Sequence, residues 1–249
     1  MKKFRYLSII LQLAFILGAL THLTNHDQVS AYSFTGAKWT LSAGQSVSYV
    51  VSNTLSTDLN DADCLAAVQL GYQVWTDISC SYMSWNYGGR TSNTAWGVGD
   101  GENVVSWRDS GWDDAAEALA ITSSIFNFQG LSDADIKFNG VHHTWALISE
   151  GTGSAAGVDV ASVSAHEVGH ALGLDHSDIA NSTMWPATGP GDDSARSLAQ
   201  DDIDAICELY PSGGEVPVAP EDPAPPSVCL LYTSPSPRDR TRSRMPSSA

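Results

Sequence analysis

One stretch constrains this chain more than any other: Ser164-Ala165-His166-Glu167-Val168-Gly169-His170-Ala171-Leu172-Gly173-Leu174-Asp175-His176-Ser177. His166 and His170 are four residues apart, so a helix sets both on one face and aims two imidazole nitrogens at one point. Two ligands do not complete a tetrahedral metal site. The third must come from elsewhere while a fourth position stays open for water. Gly173 can adopt a positive φ, end the helix and swing the chain back, and His176 follows three residues later. Glu167, adjacent to His166, then stands beside the metal's water rather than on the metal. With this composition, the five-position pattern HExxHxxGxxH arises by accident on the order of 10⁻⁵ times per chain. An ordinary helix carrying two surface histidines is therefore a poor account of it.

The surrounding chain supplies strands early and helices late. Residues 46–52 (SVSYVVS) form a strand-like run, and Asn60 or Asp61 caps a predicted helix to about residue 78, with Leu65, Val68, Tyr72 and Trp75 at helical spacing. Residues 80–85 read as a second strand and 88–101 as a Gly-, Ser- and Asn-rich loop. Residues 103–107 and 118–128 give further strand-like runs, although periodicity alone also allows a helix over the latter. Residues 134–139 alternate as a strand does, 162–174 are helical, and 198–209 make a last helix with Asp201, Asp202 and Asp204 in its first turns. The pattern is α+β, without internal repeats.

Charge narrows the function classes. The chain carries 28 acidic and 12 basic residues, a net charge of −16. Between residues 32 and 227 the basic residues are Lys38, Arg90, Arg108, Lys137 and Arg196 alone. No basic patch exists there to neutralise phosphates, which excludes nucleic acid as a partner. The Asp pairs 113–114, 192–193 and 201–202 leave calcium open, but lack the spaced oxygen pattern of a calcium loop.

The histidine segment resembles the HExxHxxGxxH signature of the metzincin metallopeptidases. Leu174 and Ser177 match the matrixin branch, HExxHxxGLxHS, and Ser182-Thr183-Met184-Trp185-Pro186 resembles the methionine turn that floors the metal in that family. Asp135-Ile136-Lys137-Phe138-Asn139 with Trp145 resembles the matrixin strand ahead of the active-site helix. Residues 201–206, ending in Leu209-Tyr210-Pro211, resemble the family's last helix. The resemblance covers about residues 38–211. It implies a metzincin-type catalytic domain: a twisted, mixed, mostly parallel sheet with about three helices, and an active-site helix followed by a Met-turn. It also implies one catalytic Zn²⁺ held by His166, His170 and His176, with Glu167 as general base for the attacking water and Gly173 and Met184 in support. Protein or peptide substrates follow, bound along an edge strand, with a side chain in a pocket walled by residues 186–196. Arg196 belongs either near that pocket or in a surface salt bridge. A non-catalytic binding protein on the same scaffold, or another metzincin branch, are the competing readings. Two departures stand out. No cysteine-bearing propeptide motif lies between residue 31 and Lys38. The second, structural zinc of vertebrate matrixins finds only His142 and His143, which read as loop histidines.

Both ends differ from this domain. A basic patch (Lys2, Lys3, Arg5) precedes an apolar run from Leu7 to Leu20, and Val29-Ser30-Ala31 suits a signal peptidase. Residues 1–31 are therefore expected to be a signal peptide, and 32–211 a secreted, monomeric catalytic domain without stable membrane insertion. Residues 212–227 read as a Pro-rich linker. Residues 228–249, with four arginines, resemble translated sequencing-adapter read-through or a disordered tail. Setting Cys229 aside leaves Cys64, Cys80 and Cys207. Sixteen residues of straight helix span about 24 Å, too far for Cys64 to reach Cys80. Cys207 pairs with one of the two, and either remains open.

Overall fold

A computed structural model describes residues 31–42, 44–148 and 156–213 of the chain. The expected signal segment up to residue 30, the linker and tail from residue 214, and Cys229 lie outside the described residues. In chain order the elements are β1 (Val47–Ser52), α1 (Asp61–Thr76), β2 (Trp85–Thr91), β3 (Asn103–Arg108), β4 (Ala120–Asn127), β5 (Gly130–Asn139), β6 (Trp145–Ala146), β7 (Val158–Asp159), α2 (Val160–Leu172), a 3₁₀ turn (Ser194–Arg196) and α3 (Gln200–Leu209). The main sheet has the order β2-β1-β3-β5-β4. All its pairings are parallel except that of β4 with β5 at one edge. β6 and β7 form a separate short parallel pair. The class is α+β, as the sequence pattern anticipates, with the mixed, mostly parallel sheet that the family resemblance implies.

The run 118–128, open between helix and strand, becomes β4 because a hairpin partner is at hand. Gly130 turns with φ 112° and β5 returns antiparallel, pairing Thr122 with Ile136 and Ala120 with Phe138. Of the predicted strand at 80–85 only the end, Trp85, is in the sheet, as the first residue of β2. Residues 80–82 bond instead to the end of α3: Tyr82 N donates to Tyr210 O, Ser212 N donates to Cys80 O, and Ser81 bridges Pro211. Cys80 is bonded to Cys207 of α3, which locks this arrangement and resolves the open pairing, and Cys64 is a buried free thiol. The sheet strand β2 starts at Trp85 and runs on to Thr91, into the stretch from residue 88 expected to be loop. Gly88 and Gly89 explain the difference. The register between β1 and β2 slips between Tyr49 and Val51, opposite these glycines. Gly89 has φ 104°, and a Cβ on Gly88 would lie 2.8 Å from Ser48 Oγ. A bulge of two glycines keeps the strand going where side chains would block it.

Helices α1 and α2 pack on one face of the sheet. Asn60 caps α1 by accepting from Asp63 N at 3.0 Å, with Asp61 and Asp63 in the first turn. Cys64, Val68, Tyr72 and Trp75 face the core, where Tyr72 stacks on Tyr49 of β1. Two bonds cross to α2: Trp75 Nε1 donates to Ala165 O at 2.8 Å and Ser164 Oγ to Val68 O at 3.0 Å.

Loops cover the odd-numbered face of β5. Asp135 accepts from Gly97 N and Val104 N, and Asp133 accepts from Gly101 N, so two buried carboxylates pin the 97–104 connection. Burial, opposed by the Val104 amide and reinforced by Asp133, pushes the Asp135 carboxyl up to about 7. Two residues on, the buried Lys137 ammonium pairs with Asp113 and Asp114 and lies 3.7 Å from the centre of the Trp96 ring.

Candidate metal centre

Helix α2 starts two residues earlier than the sequence pattern suggests because Asp159 is its cap. Asp159 accepts from Ser162 N at 2.8 Å and from Ile148 N at 3.1 Å, and it is ion-paired with Arg196. Arg196 is therefore in a salt bridge, but a mostly buried one that ties the 186–196 segment to the helix start. The helix ends at Gly173 with φ 102°. Leu174 N donates to Gly169 O and Gly173 N to His170 O, the two bonds of a Schellman close. A Cβ on Gly173 would also strike Ala37 O, where the amino-terminal segment runs alongside through Thr35 N to Gly173 O and Asp175 N to Ser33 O. Glycine is required there twice over.

The turn brings His176 back onto the face that carries His166 and His170. His170 Nε2 lies 3.2 Å from His166 Nε2 and 3.3 Å from His176 Nε2. The other ring nitrogens fix the tautomers. His166 Nδ1 is 2.7 Å from Thr183 O and His170 Nδ1 2.9 Å from Leu174 O. A carbonyl only accepts, so Nδ1 of each ring carries the proton and Nε2 presents its lone pair. Lone pairs crowded at this distance repel unless a cation lies between them. A tetrahedral ion with Zn–N bonds of about 2.0–2.1 Å sets its nitrogen ligands roughly 3.3–3.4 Å apart. The donor set fits zinc in type and number, and the two distances from His170 Nε2 match that spacing.

Electrostatics agree with neutral ligands. Burial, then the neighbouring His176, lowers His166 to about 4. Burial and the other two rings hold His170 well below the usual imidazole range, and burial lowers His176. Among the described residues, this triad is the group of His, Cys, Asp and Glu side chains whose ligand atoms converge. His142 is exposed and His143 half-buried, with His143 Nε2 2.9 Å from Ala116 O.

Glu167, next to His166 on α2, is 3 % exposed. Burial raises its carboxyl to about 7, against the opposing pull of Thr122. Thr122 Oγ1, on β4, lies 2.6 Å from Glu167 Oε2 and 3.0 Å from Glu167 O. Beneath the histidines, Met184 is fully buried in a tight turn closed by Trp185 N to Ser182 O. Its Sδ occupies the space a Cβ on Gly169 would need. The turn is held by Asp202 of α3. That buried carboxylate accepts from Ser182 Oγ at 2.6 Å, Thr183 N at 2.8 Å and Met184 N at 3.1 Å. Thr122, Asp159 and Asp202 carry no mark of these roles in the sequence. Asp202 is legible only as a favourable charge at a helix start.

The sequence model of the matrixin family matches residues 38–211. The chain belongs to the matrixin family. Matrix metalloproteinase-18 of Xenopus laevis is 31 % identical over 202 residues, covering 81 % of this chain and 39 % of that protein. Human matrilysin is 43 % identical over 58 residues, 23 % of this chain and 22 % of its own, and metalloendoproteinase 5-MMP of Arabidopsis thaliana is 49 % identical over 53 residues, 21 % and 14 %. This matrixin thus spans less than half the length of the relatives it matches. No helix among its described residues is long and apolar enough to cross a membrane.

Proposed function

We propose that this matrixin is an exported zinc-dependent endopeptidase, with His166, His170 and His176 as metal ligands and Glu167 as general base. One observation carries the reading: the Nε2 atoms of three histidines converge, two of them left proton-free by the partners of Nδ1, and the next residue along the helix from His166 is a buried carboxylate held by Thr122. Zinc in such a site acidifies the attacking water and polarises the scissile carbonyl. Glu167 takes the water's proton on the oxygen that Thr122 leaves free and delivers it to the departing amine. A carboxyl that titrates near neutrality suits a group that must both accept and donate. No serine or cysteine nucleophile is needed.

Substrate geometry follows from the sheet. β4 is an edge strand, bonded to β5 on one side, and lies over α2 at Thr122. An extended polypeptide adding to that edge would bring its backbone past the triad, with the 186–196 segment forming a wall anchored by Arg196. Export is supported by the basic-then-apolar amino terminus and by the Cys80–Cys207 disulfide, which suits an oxidising compartment.

The test uses the purified full chain with an unfolded protein as substrate. Cleavage should stop with a chelator and return with zinc, and Glu167→Ala should keep about one zinc per chain yet be inactive. Full activity in that variant, or no stoichiometric zinc in the wild type, would refute the assignment.

A further inference from the structure

Thr122 sits forty-five residues from Glu167 in sequence and on a different element, yet its hydroxyl reaches both ends of that residue. Its place on β4 is opposite Ile136 of the neighbouring strand β5, so its side chain points to the same sheet face as Ile136, towards α2. Thr122 is 2 % exposed and its neighbourhood is closed to solvent. The hydroxyl has one proton and two acceptors in range. The carboxylate oxygen is nearer and bears charge, so it takes the proton. Among the described residues Thr122 alone acts on this carboxylate, through its hydroxyl and its backbone.

We propose that Thr122 is a positioning residue for catalysis: its hydroxyl holds Glu167 Oε2 so that the other carboxylate oxygen faces the reacting water. The proposal rests on the peptidase reading above. A buried carboxylate on a two-carbon stem is otherwise free to turn about its last torsion, whose preference is broad. The Thr122 hydroxyl fixes that torsion from the sheet, while α2 fixes the stem. Loss of a hydrogen bond to a charged, buried group corresponds to a rate loss of about 10- to 100-fold when the bond serves the transition state.

The variants are Thr122→Val, which keeps the branched shape and volume but removes the hydroxyl, and Thr122→Ser, which restores it. Each is made in the full chain and assayed for kcat, KM, zinc content and thermal unfolding. Thr122→Val should lose about 10- to 100-fold in kcat, with KM within about threefold and zinc content unchanged, and Thr122→Ser should return to within about threefold of wild type. Should the valine variant fail to fold, Thr122→Ala against Thr122→Ser makes the same comparison. A hydroxyl-free variant with wild-type kcat overturns the proposal. So does equal impairment of the serine variant, or a loss that tracks lost zinc. A wild type without chelator-sensitive cleavage overturns the peptidase reading and this role together; a cleaving wild type with an unaffected Thr122→Val overturns this role alone.

Discussion

Replacing Gly71 by alanine tests whether the two helices that frame the site are as close as the structure places them. A Cβ built on Gly71 lies 2.5 Å from Ser164 Cβ and 2.7 Å from the backbone nitrogen of Ala165, with Ser164 Oγ nearer still. Ser164 Oγ can rotate away, but a backbone nitrogen and a Cβ cannot. To reach an ordinary 3.4 Å contact with Ser164 Cβ, α1 and α2 must part by about 0.9 Å. That movement stretches the 2.8 Å bond from Trp75 Nε1 and the 3.0 Å bond from Ser164 Oγ past useful length. Two buried bonds are worth about 1 kcal/mol each, with a further 1–2 kcal/mol from loosened packing. Alanine returns about 1 kcal/mol through helix propensity. The net expectation is a loss of roughly 2–3 kcal/mol. Urea unfolding of the chelated full chain, followed through tryptophan fluorescence, measures it. An alanine variant as stable as the wild type, or more so, would mean that propensity decides and that the close approach is absent.

Three further outcomes follow from other parts of the fold. Cys80→Ser with Cys207→Ser opens a loop with a sequence separation of 127 and should cost about 2–5 kcal/mol, read as the shift in urea midpoint against the oxidised wild type. Lys137→Met keeps the stem under the Trp96 ring but leaves the buried Asp114 carboxylate without its cation, a loss of roughly 3 kcal/mol by the same measurement. Asp135 has a folded pKa raised to about 7, so between about pH 4 and 7 the unfolded chain ionises this group and the folded chain does not. The wild type should therefore lose stability relative to Asp135→Asn as pH rises through that window, by on the order of 3 kcal/mol, and the difference should level off above pH 7. A difference independent of pH would contradict the buried, protonated carboxyl.

What could be read from the sequence was what local geometry controls. A helix repeat places His166 and His170, and a left-handed glycine three residues later returns His176; all of this lies within one helix and one turn, so spacing alone carries it. The Asn60 cap and the amphipathic run of α1 were legible for the same reason. The strand at 80–85 was misplaced because its alternation says nothing about its partner. A disulfide and the end of α3 claim those backbone groups, while a glycine bulge admits β2 where composition suggests only loop.

The same division runs through the site. The residues that would touch the metal are adjacent along the chain, whereas those that hold them still come from three distant elements. Thr183 O fixes the tautomer of His166, Asp202 of α3 holds the turn that carries Thr183 and Met184, and Thr122 of β4 holds Glu167. Each of these is an ordinary polar residue with no spacing rule, and each becomes specific only because a buried donor or acceptor must find a partner once the core closes. Asp202 makes the point most sharply. As a charge near a helix start it is one of three similar aspartates in the first turns of α3. Its burial and its bonds to Ser182, Thr183 and Met184 distinguish it from Asp201 and Asp204, and through Thr183 they connect the last helix of the domain to the tautomer of His166, a proposed metal ligand.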